Sequence, residues 1–416
     1  MKSSIELVTA AQDKAVQQLF NCHRLCVQWS TGVGKTRVGV NSISKLIEQT
    51  PDARVLLCVA EVTHKDTWRD EFYEVLGMFE AEQVLSHCTI ECYASLKKYA
   101  DTSWNMIIFD EAHHLGSEFR LDLLMTLKAD YVLALSATMK KEVLDELNVD
   151  FGRFMVNRYS LSKAIDDEIL PNPTIITVPL ILDSKHETEM FKVEWGSKKG
   201  RSSFGHAHYN AWKEIRYRHT AGSLKVWCTQ AQKYAWICEE IEYAKKKYMM
   251  AGTDWLKTVW LQKASERKRI LGSMKSEYIK KVIEKIKTDD ADARLLCFCS
   301  SVEQAKKIGG THAVHSKQTD KENKRLIDEF NNGESNELYA VGKLIEGVNL
   351  VDCKYLVMSQ LDGELRLWTQ KCGRSLRHSQ PIIYILYFRD TRDEEWLNKV
   401  KKEMTGTEFI EYDITH

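Results

Sequence analysis

Seven consecutive residues, Ser30-Thr31-Gly32-Val33-Gly34-Lys35-Thr36, have the types and spacing to hold a phosphate chain. Two glycines let backbone N–H groups close on an anion, and a helix opening just after them favours negative charge at its N-terminus. Thr31 through Gly34 would form the cradle. Lys35 would neutralise β- and γ-phosphates, and the Thr36 hydroxyl would ligate Mg²⁺. A second group, Asp110-Glu111-Ala112-His113, ends an apolar run at 106–109. A carboxylate at the C-terminal end of a strand can face a phosphate loop on a neighbouring strand. Asp110 would then hold Mg²⁺ through water, and Glu111 would orient and deprotonate an attacking water. Further along, Arg374 and Arg377 are three residues apart and share one helix face, with Gln370 one turn earlier.

These groups need a scaffold. Runs 25–29, 55–60, 106–109 and 131–135 are short and apolar, as in strands covered on both faces, and amphipathic stretches separate them. The alternation predicts an open parallel α/β sheet over residues 1–170. Pro171 and Pro173 break the pattern, and residues 171–182 read as a connector. The alternation resumes over 261–416, with strand-like runs at 295–299, 338–341, 355–358 and 382–388. Between the halves, residues 183–260 read as a mainly helical, basic and aromatic insertion. It holds six of the eleven tryptophans: Trp195, Trp212, Trp227, Trp236, Trp255 and Trp260.

With 416 residues the chain exceeds one ordinary core. Its formal net charge is zero, so overall charge selects no partner. The distribution does: residues 185–287 carry 23 Lys/Arg against 11 Asp/Glu, a net +12, which leaves −12 for the rest. Lys245, Lys246 and Lys247, and Arg267, Lys268 and Arg269, are candidate contacts to a nucleic-acid backbone. The tryptophans and tyrosines among them suit either base stacking or an aromatic core. The eleven cysteines are odd in number and lack matched Cys/His pairs, which argues for reduced, mostly buried thiols. No run approaches the roughly 20 apolar residues of a membrane span, and residues 1–20 lack the apolar centre of a signal peptide. The expectation is a chain of the cytoplasm, or of the host cytoplasm if phage-encoded.

The phosphate loop and the acidic tetrapeptide resemble the Walker A and Walker B elements of superfamily 2 helicases, in the variant spelled Asp-Glu-Ala-His. The resemblance continues in order. Gln12 stands where the family often has an adenine-reading glutamine. Residues 59–71, with Trp68, resemble the motif that touches the nucleic-acid backbone, and 92–96 its companion. Ser136-Ala137-Thr138 matches the motif that couples hydrolysis to movement, with His113 facing it in role. Residues 164–171 resemble the end of the first motor domain, and 296–302 the opening motif of the second. Residues 340–350, with Gly347, and the run Gln370-Lys371-Cys372-Gly373-Arg374-Ser375-Leu376-Arg377 resemble the family's last two motifs. Two departures stand out: Asn349 where the family usually has Asp, and Lys371 where it often has Arg, which keeps charge but loses bidentate geometry.

The resemblance implies two RecA-like domains facing each other across an ATP cleft. ATP and Mg²⁺ would be held by Lys35, Thr36 and Asp110, with Glu111 as base. Gln370, Arg374 and Arg377 would reach in from the other side as arginine fingers, which contribute about 10³–10⁵ in rate in related enzymes. It implies a nucleic-acid helicase or translocase, with DNA preferred over RNA and with replication, recombination or repair as the setting. Protein partners in those processes and a monomeric or weakly oligomeric state go with it; a phage or bacterial helicase fits. Open alternatives are a duplex-DNA translocase that separates no strands, an RNA helicase and an ATP-gated clamp.

Overall fold

Helix α1 (Ser4–Cys22) starts at a capping box, in which Ser3 and Glu6 bond each other's backbone amides. The chain then alternates through β1 (Arg24–Trp29), α2 (Lys35–Gln49), β2 (Val55–Val59), α3 (Val62–Leu76), α4 (Met78–Leu85), β3 (Cys88–Cys92), β4 (Ser103–Phe109), α5 (Leu115–Glu118), β5 (Lys128–Ser136), α6 (Lys141–Phe151), β6 (Met155–Tyr159) and α7 (Leu161–Asp166). The computed structural model describes residues 3–118, 124, 126–199, 201–341, 350, 353–361, 368, 372 and 378–414.

Six strands of this first half form one parallel sheet in the order β3-β2-β4-β5-β1-β6. β2 is buried along its whole length and β1 along most of it, as apolar runs between two helical layers must be. The order matters for chemistry. It sets β5 between β1 and β4, so the loops leaving the C-terminal ends of these three strands are neighbours on one sheet edge. Ligands of open parallel sheets bind at that edge.

The second half runs β7 (Thr174–Leu180), β8 (Glu189–Trp195), β9 (Ser202–His208), α8 (Trp212–Arg218), β10 (Gly222–Cys228), α9 (Gln230–Ala251), α10 (Asp254–Met274), α11 (Ser276–Asp289), β11 (Leu295–Cys299), α12 (Val302–Gly309), β12 (Ala313–Val314), α13 (Asp320–Asn331), β13 (Glu337–Val341), β14 (Tyr355–Met358), β15 (Ile382–Phe388), α14 (Arg392–Glu403) and β16 (Phe409–Glu411). Seven strands form a second parallel sheet in the order β12-β13-β11-β14-β15-β7-β16. Two parallel α/β domains are therefore present, as the strand–helix alternation implied.

Three features differ from the sequence reading. The connector at 171–182 contains β7, an interior strand of the second sheet, paired with β15 from Thr174–Ile382 to Leu180–Phe388. The segment 183–260 is not mainly helical at its start: β8, β10 and β9 form a separate three-stranded sheet. Phe191, Val193 and Trp195 point inward while Lys192 and Glu194 point out, a period-two pattern masked by the charges. Third, residue 260 marks no boundary, because α10 continues to Met274 and α9 packs along it.

The aromatics of the inserted segment divide. Trp195, Trp212 and Trp236 are buried, with Phe191 stacked on Trp236 at 4.1 Å between ring centroids, whereas Trp227 and Trp255 are exposed. At the junction of α10 and α11, Lys275 is completely buried. Its ammonium meets Asp393 Oδ2 at 2.6 Å and donates to the carbonyls of Ser359 (2.8 Å) and Leu386 (3.0 Å) at the ends of β14 and β15. Among the described residues no disulfide joins the cysteines. Among the described residues, no helix is long and apolar enough to cross a membrane.

Candidate active site

β1 ends at Trp29 and α2 begins at Lys35, so residues 30–34 form a strand-to-helix loop. Gly32 (φ 91°) and Gly34 (φ 85°) sit in the left-handed region, which other L-residues adopt only with strain. A Cβ on Gly34 would also collide with the Gln12 amide. Val33 turns into the core, which fixes the loop between its two glycines. The Ser30 and Thr31 hydroxyls are buried without a partner among the described residues. Lys35 Nζ donates to the Trp29 carbonyl at 3.2 Å, folded back over the loop. Thr36 follows at the second position of α2. Gln12, buried on α1, has its amide nitrogen 3.5 Å from the carbonyls of both Val33 and Gly34. It braces the loop from behind.

Asp110 leaves β4 with its amide donating to the Cys58 carbonyl at 2.8 Å. Its carboxylate accepts from Trp68 Nε1 (2.9 Å) and from the Glu111 amide (3.0 Å). Tyr93 OH donates to its carbonyl at 2.6 Å. Burial pushes the Asp110 carboxyl up, and the neighbouring Glu111 carboxylate adds to that, against the Trp68 hydrogen bond. Glu111 is left-handed (φ 48°), a conformation that throws its side chain out of the strand direction. Burial raises its carboxyl too, but the His113 hydrogen bond and the Lys35 and His113 charges outweigh that and hold it below the ordinary glutamate range.

From Glu111 a polar path leads to the end of β5. His113 Nδ1 lies 3.3 Å from Glu111 Oε2 and 3.0 Å from Ser136 Oγ. Ser136 Oγ donates its single proton to the Thr138 carbonyl at 2.9 Å and accepts from the Thr138 amide at 3.3 Å. Nδ1 of His113 is therefore the donor toward Ser136. The three residues expected to couple, His113, Ser136 and Thr138, are in one hydrogen-bonded chain.

The residues expected to touch nucleic acid are placed unevenly. Trp68 is 1% exposed and committed to Asp110, so it positions the carboxylate and presents no surface to a nucleic-acid backbone. Lys246 and Lys247 are exposed on α9 and Lys245 is half-buried beside them. On α10, Arg269 is exposed, Lys268 lies over the Trp396 ring, and Arg267 turns back toward Cys238. Gly347, Gln370, Arg374 and Arg377, with Asn349 and Lys371, lie outside the described residues. Sequence reasoning passed over Tyr93 and His64, although an aromatic and a histidine flanking the two strand ends were visible as residue types.

A family model for the Type III restriction enzyme res subunit matches residues 7–141, and one for the helicase conserved C-terminal domain matches residues 274–379. No curated protein sequence matches the chain. Among solved structures, a fragment of a putative HsdR subunit of a type I restriction enzyme from Vibrio vulnificus YJ016 aligns with TM-score 0.57 at 17% identity, over 97% of this chain and 67% of that one. S. cerevisiae Dbp5 bound to RNA and ADP BeF3 aligns with TM-score 0.56 at 12% identity, over 97% and 89%. The Pyrococcus furiosus Hef helicase domain aligns at 0.49 and 15%, over 96% and 97%. At such identities the first two overlays speak for the fold, a pair of RecA-like domains. Matched by a motor-domain model in each half, in the family's order and on the family's fold, the chain belongs to superfamily 2 of the helicases and translocases, a superfamily of ATP-hydrolysing enzymes.

Proposed function

We propose that this chain is an ATP-dependent motor on DNA, hydrolysing ATP with Mg²⁺ at the Lys35–Asp110–Glu111 site to unwind or remodel duplex or branched substrates. The residues fit the group: two left-handed glycines, the first turn of α2, unpartnered Ser30 and Thr31 hydroxyls, a lysine, and two adjacent carboxylates. Thr36 and Asp110 would hold Mg²⁺, which when bound supplies charge neutralisation at the phosphates. Lys35 leaves the Trp29 carbonyl for the phosphate chain. Glu111, kept ionised, accepts the proton of the attacking water. Gln370, Arg374 and Arg377 are assigned to the facing side by resemblance, and Gly347 to the nucleotide.

The observation that carries a motor, rather than a clamp that ATP merely gates, is the chain Glu111–His113–Ser136–Thr138. It ties the proton-accepting carboxylate to the loop after β5, by an ion-pair contact from Glu111 to His113 and hydrogen bonds from there through Ser136 to Thr138, so a change at the γ-phosphate has a contiguous polar route out of the site. The match of residues 7–141 to restriction-enzyme res subunits favours DNA, with replication, recombination or repair as the setting. The +12 charge of residues 185–287 supplies a surface for phosphates, with Lys246, Lys247 and Arg269 among its exposed members.

Phosphate release measured with no nucleic acid, single-stranded DNA, duplex, forked DNA and RNA, beside Lys35→Ala, tests this. Stimulation by DNA that disappears in Lys35→Ala is expected. Stimulation by RNA alone would keep the enzyme and move its substrate. No hydrolysis under any condition would leave the clamp.

A further inference from the structure

Helix α3 brings more than Trp68 to the carboxylates. His64 lies four residues earlier, so the two side chains share one helix face. Lys65 turns away from that face and pairs with Glu91 on β3 at 2.6 Å. The His64–Trp68 face meets α2, where Gly39 leaves room for the indole, and the end of β4, where Asp110 accepts the indole hydrogen.

His64 is 5% exposed, and neither ring nitrogen has a partner among the described residues. A neutral imidazole carries one donor and one acceptor. Burying both unmatched is unfavourable, and a leucine would fill the same space without that penalty. The ring sits one turn before Trp68, on the face of α3 from which the indole reaches Asp110. Neither carboxylate bonds it. Asp110 is taken by Trp68 and the Glu111 amide, while Glu111 Oε2 lies 3.3 Å from His113 Nδ1 and makes no hydrogen bond among the described residues. A buried polar ring beside the tryptophan that holds Asp110, itself without a bond among the described residues, is one whose partner arrives with the ligand that carboxylate holds.

We propose that His64 is a positioning residue of the nucleotide site, hydrogen-bonding the water shell of the Mg²⁺ that Asp110 holds. This rests on the reading of the site as one for Mg²⁺–ATP. Groups in the second shell of a metal orient the ligands and change metal affinity by about 10–100-fold when lost. Trp68 fixes the carboxylate from one side; His64, one turn earlier, fixes the waters.

The test uses the full chain and a fluorescent methylanthraniloyl-ATP, titrated with Mg²⁺ and separately with EDTA, alongside denaturant unfolding. His64→Leu is expected to weaken Mg²⁺-dependent nucleotide affinity about tenfold. Binding in EDTA should stay at the parental value and the unfolding midpoint at the parental value or above it, and His64→Gln should recover part of the Mg²⁺ effect. Equal affinity of His64→Leu and parent in Mg²⁺ would overturn the assignment, as would equal losses in Mg²⁺ and EDTA, which would mark His64 as packing. Lys35→Ala separates the two readings. If it binds the nucleotide as the parent does, the site reading itself fails; if it does not bind while His64→Leu binds normally, only His64 fails.

Discussion

The indole of Trp68 gives its one hydrogen to Asp110, Nε1 to Oδ2 at 2.9 Å, from a ring sealed between α2 and α3. Trp68→Phe keeps an aromatic ring, smaller than the indole, and removes the donor. The Asp110 carboxylate then loses the contact that fixes its rotamer. We expect about a tenfold rise in the Mg²⁺ concentration needed for half-maximal hydrolysis, with a loss of stability of about 1–3 kcal/mol from the void beside α2. An unaltered Mg²⁺ requirement would show that β4 alone orients the carboxylate.

Glu111→Gln removes the base and keeps the shape. Hydrolysis should fall about 10²–10⁴-fold, the usual contribution of a general base. Nucleotide binding should persist, because Lys35 and the glycine loop are untouched. Hydrolysis at the parental rate in this variant would sink the proposed mechanism.

His113→Ala and Ser136→Ala cut the same hydrogen-bonded chain at successive links. Each should reduce nucleic-acid stimulation of hydrolysis by something on the order of tenfold, within the ordinary range of coupling between sites. The double variant should be no worse than the worse single one, since both break one path. Additive losses would place the two residues on separate routes.

The Lys65–Glu91 pair pins α3 to β3, and Lys65 holds the Glu91 carboxyl below its ordinary value despite partial burial. In the window between the lowered folded value and the unfolded value of about 4.3, the unfolded chain binds more protons, so stability rises with pH. The contribution is fully present above the unfolded value and is lost as pH falls through the folded one. Thermal melts across the acid range should therefore slope less steeply in Lys65→Met than in the parent. Parallel slopes would mean the pair adds nothing.

Lys275→Met leaves Asp393 buried and charged without its ammonium. Breaking such a pair typically destabilises by about 3–5 kcal/mol, here seen in the unfolding of the second domain. Adding Asp393→Leu should recover only part, because Gln360 Nε2 also donates to that carboxylate at 2.9 Å and would lose its acceptor. A single variant that unfolds with the parent would show that neither the pair with Asp393 nor the bonds to the Ser359 and Leu386 carbonyls adds net stability.

The nucleotide site was legible because its chemistry is local. Glycines flanking Val33, then Lys35 and Thr36, declare a loop whatever surrounds them, and Asp110-Glu111 after an apolar run declares a strand end. What local spacing does not carry is which groups meet. Trp68 looked like a surface aromatic until the fold set it against a carboxylate 42 residues away in sequence. His64 gave no signal, since nothing near it in the chain is chemical. The strands β8 and β10 were hidden for another reason: outward Lys192, Glu194 and Lys225 make a half-buried strand look as polar as a solvated helix. Membership of β7 in the second sheet depends on partners at Ile382–Phe388 and Phe409–Glu411, beyond any window of periodicity.

That last placement bears on how the chain is made. β7 leaves the ribosome long before either strand that will flank it. From Leu180 to Ile382 lie about 200 residues, which at about 5–20 residues per second is roughly 10–40 s of synthesis. Throughout that time an apolar strand with both edges open trails the finished first domain, a ready template for pairing with the wrong chain. The inserted three-stranded sheet and the α9–α10 hairpin are translated within the same interval. A stall in their translation lengthens the exposure of β7, so the yield of folded enzyme should depend on how quickly residues 181–382 are read.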